Sequence, residues 1–395
     1  MTEPRKAIVA GAGIGGLTAA IALQRAGWQV RVFEAAQTLR TGGTGLSIMA
    51  NAMAALHAID AHLPVEQAGQ AIRQFCFKRQ NGTPITRMPI HEIGEQLGHP
   101  SVNIQRPLLL RALAAQLAPD TLITGLRCVG YAHRPDGVTV RFEDGSSHEA
   151  DLLIGADGLN SVVRQQMLGE TPTRASGYIA WLAVTPFSHP VMSEGYVAHY
   201  WGRGKRFGLC DVGDGQAYWW GTCNHDNAAH AALNVNKQEV RATYAGWAPE
   251  VMAAIEATPE NALLKMHARD RPPVKQFCDG HVVLLGDAAH PMLPSLGQGA
   301  AQAIEDAVVL ADRLAQTPDL RTALALYQAY RLPRANGIVN AARFMSGIEQ
   351  AESAVACWVR ELYFRLVPQS SWRKKNLDIL SFKGGLQPIP DYVND

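Results

Sequence analysis

No stretch of this 395-residue sequence holds the ~18–20 consecutive apolar residues that a membrane span requires. The first residues, MTEPRKAIVAGAG, run almost directly into a strand and have no apolar leader core with a cleavage site. These two features lead us to expect a cytoplasmic protein with no integral membrane segment. Charge is scarce and balanced: 36 Lys and Arg stand against 35 Asp and Glu, for a net charge of +1. Such a balance leaves no electrostatic footprint for nucleic acid. The six cysteines, at positions 76, 128, 210, 223, 278 and 357, never fall in C-x-x-C spacing. Neither a zinc cluster nor a redox dithiol is therefore expected, and no metal is assigned. There is no internal repeat and no low-complexity linker. What remains is a chain that is 47% apolar and 18% charged, the composition of an ordered, core-rich protein. Its length suits two domains.

Lys6–Ala10 is a short apolar run ending at glycine, as a buried parallel strand does. GLTAAIALQRAGW follows with helical spacing, and QVRVFEA alternates as a second strand, so the first 35 residues read β-α-β. Between strand and helix lies GAGIGG, with Gly11, Gly13 and Gly16 in the G-x-G-x-x-G pattern. Gly11 permits the tight turn, Gly13 lets the backbone approach a pyrophosphate, and Gly16 lets helix and strand pack closely. The helix N-terminus aims unpaired N–H groups at the phosphates. Glu34, at the end of the second strand, stands where a ribose hydroxyl acceptor belongs.

Residues 52–73 read as helical. Residues 73–90 read as a hairpin turning at Asn81-Gly82, and Gln105–Leu117 as an amphipathic helix with Pro107 in its first turn. A second hairpin turns at Asp144-Gly145 and precedes a buried strand, Leu152–Ile154, capped by Asp157-Gly158. From about residue 174 the chain becomes aromatic, alternating and glycine-punctuated, the pattern of antiparallel sheet. GHVVLLGDAAH then restores a buried strand, capped by Gly286-Asp287, and a long helix begins at Gly299. Three strand ends thus carry glycine or aspartate, and in open α/β sheets ligands bind at the carboxyl ends of strands. Arg40 and Arg106 are candidates for phosphate contacts. A surface arginine and a structural salt bridge are their respective alternatives.

Together, GAGIGG with Glu34, Arg40, QRPLLLRAL, GADGLNSVVR and GDAAHPMLPSLGQGAAQAIEDA resemble the group A flavoprotein monooxygenases, the aromatic hydroxylases of the p-hydroxybenzoate hydroxylase fold. In wording the chain is nearest to the FAD-dependent urate hydroxylases and alkylquinolone hydroxylases. The resemblance implies an α/β protein. Its Rossmann-like FAD-binding domain is a three-layer ββα sandwich, built from 1–73, 99–173 and 278–330. A mostly antiparallel substrate sheet comprises 74–98 and 174–277, and 331–395 form C-terminal helices. It assigns Gly11, Gly13, Gly15, Gly16, Glu34, Arg40, Arg106, Asp157, Gly158, Gly286 and Asp287 to FAD. Pro294, Gly297, Gly299 and Ala300 fall beside the isoalloxazine ring, where the N-terminus of the long helix favours the negative charge of a reduced flavin. It also implies that NADH or NADPH, bound only transiently, reduces FAD, and that O2 then gives the C4a-hydroperoxyflavin that hydroxylates a small aromatic or N-heteroaromatic substrate.

On the substrate side the resemblance points to Arg206 and Tyr218, and by position in the sheet His199, Tyr200 and Tyr218 are the candidate bases. An exposed hairpin charge remains the alternative for Arg206, and sheet packing for Tyr218, Trp219 and Trp220. The arginine of the family's Ala-Trp-Arg-Gly pattern is absent from AWLA (Ala180–Ala183), so no carboxylate anchor is expected there. A monomer or homodimer is expected. A flavin-dependent oxidase or dehydrogenase with the same FAD domain, and a non-catalytic flavoprotein, are the alternative readings.

Overall fold

Buried β-branched and alanine-rich segments build the first layer. In the computed structural model, which describes residues 4–39, 44–226 and 231–384, the strand Lys6–Ala10 lies between Gln29–Glu34 and Leu152–Gly155, parallel to both. Leu122–Thr124 extends one side, and Val282–Leu284 with Cys278–Asp279 the other. Helix Ile14–Arg25 is buried over nearly its whole length and packs on helix Gly299–Gln316. On the opposite face sits an antiparallel sheet of Cys128–Arg134, Gly137–Phe142 and Ser147–Ala150, with the Phe142 ring tilted against Phe33 at 4.2 Å. Antiparallel sheet, parallel sheet and helices therefore form the three layers of a ββα sandwich around one apolar core.

The second layer system is a seven-stranded sheet in the order Leu264–Asp270, Arg174–Pro186, Gln216–Asn224, Lys205–Asp211, Tyr196–Trp201, Gln74–Arg79, Pro84–Met88. The last two strands are the hairpin that turns at Gly82 (φ +87°), and this hairpin joins Tyr196–Trp201 in parallel. Period-two alternation sorts the side chains onto two faces. One carries Trp181, Tyr200, Phe207 and Trp219 and is covered by helices Lys237–Thr243 and Pro249–Ala257. The other carries Phe77, Trp201, Cys210, Tyr218 and Trp220.

The helix expected over 52–73 is two helices, Ala50–Ala58 and Leu63–Ala68, followed by Gln70–Ala71 paired to Val102–Asn103. The first ends where Asp60 adopts φ +50°, and Pro64 opens the second. The helix read over Gln105–Leu117 spans Arg106–Ala114. Helix Leu320–Glu349, 30 residues and about 45 Å long, runs from the parallel sheet, where the Tyr327 hydroxyl donates to Leu284 O at 3.1 Å, to the seven-stranded one, where Glu349 meets Arg206. Helices Ala354–Leu366 and Gln369–Leu380 follow it.

Candidate active site

The three strand ends meet in one row, because Ala10 pairs with Gly155 and Gly155 with Leu284. Gly11 leaves the first strand at φ +104°, a conformation costly for any side chain. A Cβ on Gly16 would lie 2.0 Å from Gly11 O, so the helix approaches the strand only because residue 16 is glycine. Gly15 is similarly confined by Leu285 and Ala303. Gly13 is different: a Cβ there would meet nothing within 4 Å. Its backbone faces open space at the N-terminus of helix Ile14–Arg25, the geometry a pyrophosphate needs. The Glu34 carboxylate accepts from Ala12 N and Ala36 N, both at 2.9 Å, and so fixes the loop. Arg40 lies outside the described residues.

Asp157 does more than border the cleft. Its Oδ2 accepts from Val162 N (2.8 Å) and Val163 N, and Ser161 Oγ from Arg164 N (2.8 Å), so the two side chains cap helix Val162–Leu168. Asp157 Oδ1 is buried without a partner among the described residues, and burial raises the carboxyl above its usual range. An unfilled acceptor in this row fits a ligand hydroxyl. Gly158 follows at φ +80° with open space around it. Arg164, which the sequence did not single out, donates to Ala288 O (3.0 Å) and Ala289 O (2.8 Å), clamping the Gly286-Asp287 turn.

Asp287 is solvent-accessible yet closely surrounded by protein, as on the wall of a cleft. Burial raises its carboxyl, while His290 and Arg106 draw it back down. Arg106 opens helix Arg106–Ala114, its N–H donating to Thr44 O at 2.8 Å. Pro294 begins a short 3-10 turn that ends at Gly297 (φ +62°), and helix Gly299–Gln316 starts two residues later, with Ala300 half-buried in its first turn. Behind this loop is a buried ionic network that sequence reasoning missed. Asp306 accepts from Gly286 N (2.9 Å), His290 Nε2 (2.5 Å) and Arg331 Nε (2.7 Å). Glu305 pairs with Arg331 and Arg334 and accepts from Asn51 at 2.6 Å. Burial opposes the Asp306 charge, but His290 and Arg331 outweigh it and hold the carboxyl well below the carboxylate range. His290 thus braces the turn from within.

Arg206, His199, Tyr218 and Trp220 share one face of the seven-stranded sheet, the face that meets Gly45, since Arg206 pairs with Thr222 and Trp201, Gly208 with Trp220 and His199, and Cys210 with Tyr218. The exposed-charge alternative for Arg206 is overturned: only 2% of the residue is exposed, and it pairs with Glu349 at the end of the 30-residue helix. Burial works against Glu349 as well, yet Arg206 and His199 keep its carboxyl low. Tyr200 and Trp219 lie on the other face. Tyr200 donates to Glu250 (2.8 Å) and Trp219 to Thr258 (2.8 Å), which removes both from this wall. Tyr218 packs over Gly45, and burial raises its hydroxyl beyond deprotonation at neutral pH.

His199 sits among Phe75, Phe77 and Trp220, with ring centroids 4.9, 5.4 and 4.9 Å away. Its Nδ1 and Glu349 Oε1 are 3.9 Å apart, and neither has a hydrogen-bond partner among the described residues. Burial lowers the imidazole below its ordinary value, more than Glu349 raises it. Protonation therefore favours the unfolded chain wherever the free imidazole, with a pKa of about 6.5, takes a proton. The melting-temperature difference between wild type and His199→Gln should be flat above about pH 7.5 and turn against wild type below about pH 6.5. A difference independent of pH from 5 to 8 would rule out a buried neutral His199.

Residues 5–342 match the family model described as an FAD binding domain. The chain is 40% identical to an aurachin C monooxygenase/isomerase from Stigmatella aurantiaca, over 91% of this chain and 94% of that protein. It is 33% identical to an FAD-dependent urate hydroxylase of Klebsiella pneumoniae, over 90% and 94%. The crystal structure of Klebsiella pneumoniae HpxO with FAD and uric acid superposes with a TM-score of 0.88 at 30% identity, covering 95% of this chain and 96% of that one. Matched by an FAD-binding model along most of its length and similar nearly end to end to named monooxygenases, the chain belongs to the FAD-binding domain family and is a class A flavoprotein monooxygenase.

Proposed function

We propose that the protein hydroxylates an uncharged, largely apolar aromatic or N-heteroaromatic ring, taking electrons from NADH or NADPH and oxygen from O2. The observation that carries the substrate class is the Arg206–Glu349 pair. With its charge met inside the protein, Arg206 has none to spare for a substrate carboxylate. The rest of the wall is aromatic, which selects by apolar contact and ring stacking.

Bound FAD supplies the activation of O2; the chain supplies position, dryness and proton handling. Gly11, Gly13, Gly15 and Gly16 would cradle its pyrophosphate, with Arg40 and Arg106 for charge. Glu34 would take the ribose, and Asp157 and Asp287 the hydroxyls between. Gly158 and Gly286 allow close approach, and Pro294, Gly297, Gly299 and Ala300 would border the ring. His199 is the group on this wall placed to accept a proton from a ring hydroxyl or N–H, which makes the ring a better nucleophile. Burial lowers the imidazole, and Glu349 beside it offsets part of that loss. Trp220 and Phe75 exclude water around it. No described helix is long and apolar enough to cross a membrane. We place the protein in the cytoplasm as a monomer or homodimer.

The purified protein should be yellow and should oxidise NADH or NADPH faster when given uncharged hydroxyquinolines or hydroxypyridines, with one oxygen atom added to the ring. Stimulation by aromatic carboxylates alone would overturn the substrate class. Donor oxidation without NAD(P)H would favour the oxidase alternative, and a flavin that every donor reduces only slowly would favour the non-catalytic one.

A further inference from the structure

The helix Ala354–Leu366 carries apolar residues on both its inner and its outer side, and among the described residues only the inner one is covered. Cys357, Arg360 and Phe364 face the substrate sheet, with Phe364 4.8 Å from Trp201 and 5.4 Å from Phe77. The outer side presents Val355 (71% exposed), Trp358 (62%), Val359, Leu362, Tyr363 and Leu366 (70%). Their spacing is that of one helical face. A shallow groove of 360 Å³ between this helix and the next residues, lined by Val359, Leu362, Tyr363, Leu366, Val367 and Pro368, continues the apolar surface. Monomeric soluble proteins seldom leave so many large apolar side chains contiguous and open.

The exposed charge around this stripe is predominantly basic. Arg365 is the single charged residue at an exposed position of the helix, and the following helix, Gln369–Leu380, exposes Arg373, Lys374 and Lys375. Lys375 Nζ reaches the Tyr363 hydroxyl at 3.0 Å, so the basic cluster abuts the apolar stripe directly. The nearby acids are engaged elsewhere. Glu361 is held by Arg79 at 2.7 Å, Asp378 by Lys383 at 3.3 Å, and Glu352 accepts from Asn224 at 2.7 Å.

We propose that this face docks on the surface of an anionic lipid bilayer. Trp358, Leu362 and Leu366 enter the boundary between headgroups and acyl chains, and Arg365, Arg373, Lys374 and Lys375 meet the lipid phosphates. An apolar stripe with a cationic rim and indole and phenol rings on it is the chemistry of an interfacial helix. A second copy of the chain fits less well, because among the described residues the exposed charge of this face is predominantly basic and would meet its own sign. Docking would bring the wall of Phe364, Phe77 and His199 directly behind the membrane surface, where an apolar ring dissolved in lipid is most concentrated. This last point rests on the substrate class proposed above; the docking itself does not.

The test uses the full-length, FAD-loaded protein and flotation with vesicles of phosphatidylcholine alone or mixed with phosphatidylglycerol. Binding to the anionic vesicles should exceed the neutral baseline by about tenfold or more and fall as salt is raised. Trp358→Ser with Leu366→Ser, and separately Arg365→Glu with Lys374→Glu and Lys375→Glu, should each abolish it while flavin content and melting temperature stay at wild-type values. Equal binding to both vesicle types, or none, overturns the proposal. So does a dimer in sedimentation velocity that the Trp358→Ser, Leu366→Ser variant dissociates, since the occupant is then a second copy. Vesicle binding is read without turnover, so a wrong substrate class leaves this result standing.

Discussion

Replacing Glu349 by Gln is expected to lower the free energy of unfolding by about 3–5 kcal/mol. Arg206 keeps a full charge at 2% exposure whether or not residue 349 is ionised. Removing the carboxylate leaves that charge buried and uncompensated, and the loss comes chiefly from the stranded partner rather than from one lost hydrogen bond. The double variant Arg206→Met, Glu349→Leu separates the two contributions. It removes both charges and fills the space with apolar atoms, so most of the stability should return while turnover does not. The pair's contribution is complete above about pH 4.3, the unfolded glutamate value, and is lost as pH falls through the depressed folded value. Urea unfolding of the three proteins at pH 7 measures all of this. A loss below about 1 kcal/mol for Glu349→Gln would place the pair among solvent-screened surface bridges.

The second large effect divides the glycine loop by function. In Gly16→Ala the new Cβ would lie 2.0 Å from a backbone oxygen, an obstacle no rotamer relieves. Helix Ile14–Arg25 must move off the strand, at a cost of about 1–3 kcal/mol in stability, together with loss of flavin. In Gly13→Ala the methyl enters open space, so the apoprotein should melt within about 0.5 kcal/mol of wild type. Its flavin affinity should still fall on the order of tenfold or more, because the methyl stands where the pyrophosphate must come. Flavin absorbance per protein and apoprotein melting curves distinguish the two. A Gly13→Ala protein that holds FAD as tightly as wild type would show that the pyrophosphate passes elsewhere.

Local pattern disclosed what local physics enforces. The β-α-β unit, both hairpin turns and the long helix beginning at Gly299 are visible because glycine, proline and hydrophobic period act within a few residues. The strand ends near Gly11, Asp157 and Gly286 could be expected to converge because parallel strands in one sheet deliver their carboxyl ends to one edge. Contacts between distant segments left no such mark. Nothing near Arg206 announces Glu349, 143 positions further on. The one overlooked local signal is Glu305-Asp306 set among apolar residues in AIEDAVVL, since two adjacent carboxylates on a buried helix need cations from elsewhere, here His290, Arg331 and Arg334. Pro64 marks the break after Asp60 as well, but the apolar neighbours keep a helical rhythm across it.

The hairpin Gln74–Met88 carries a consequence for how this protein can be dissected or recombined. It precedes the main run of the seven-stranded sheet by about a hundred residues, yet it supplies the two strands beyond Tyr196–Trp201. A fragment beginning at Arg174 would therefore expose the backbone N–H and C=O groups of Tyr196–Trp201 as a bare, apolar edge, an invitation to self-association. The substrate-facing sheet is no transplantable cassette. Grafting a different specificity onto this scaffold has to move both chain segments together or keep the hairpin and alter only the side chains on the inner face.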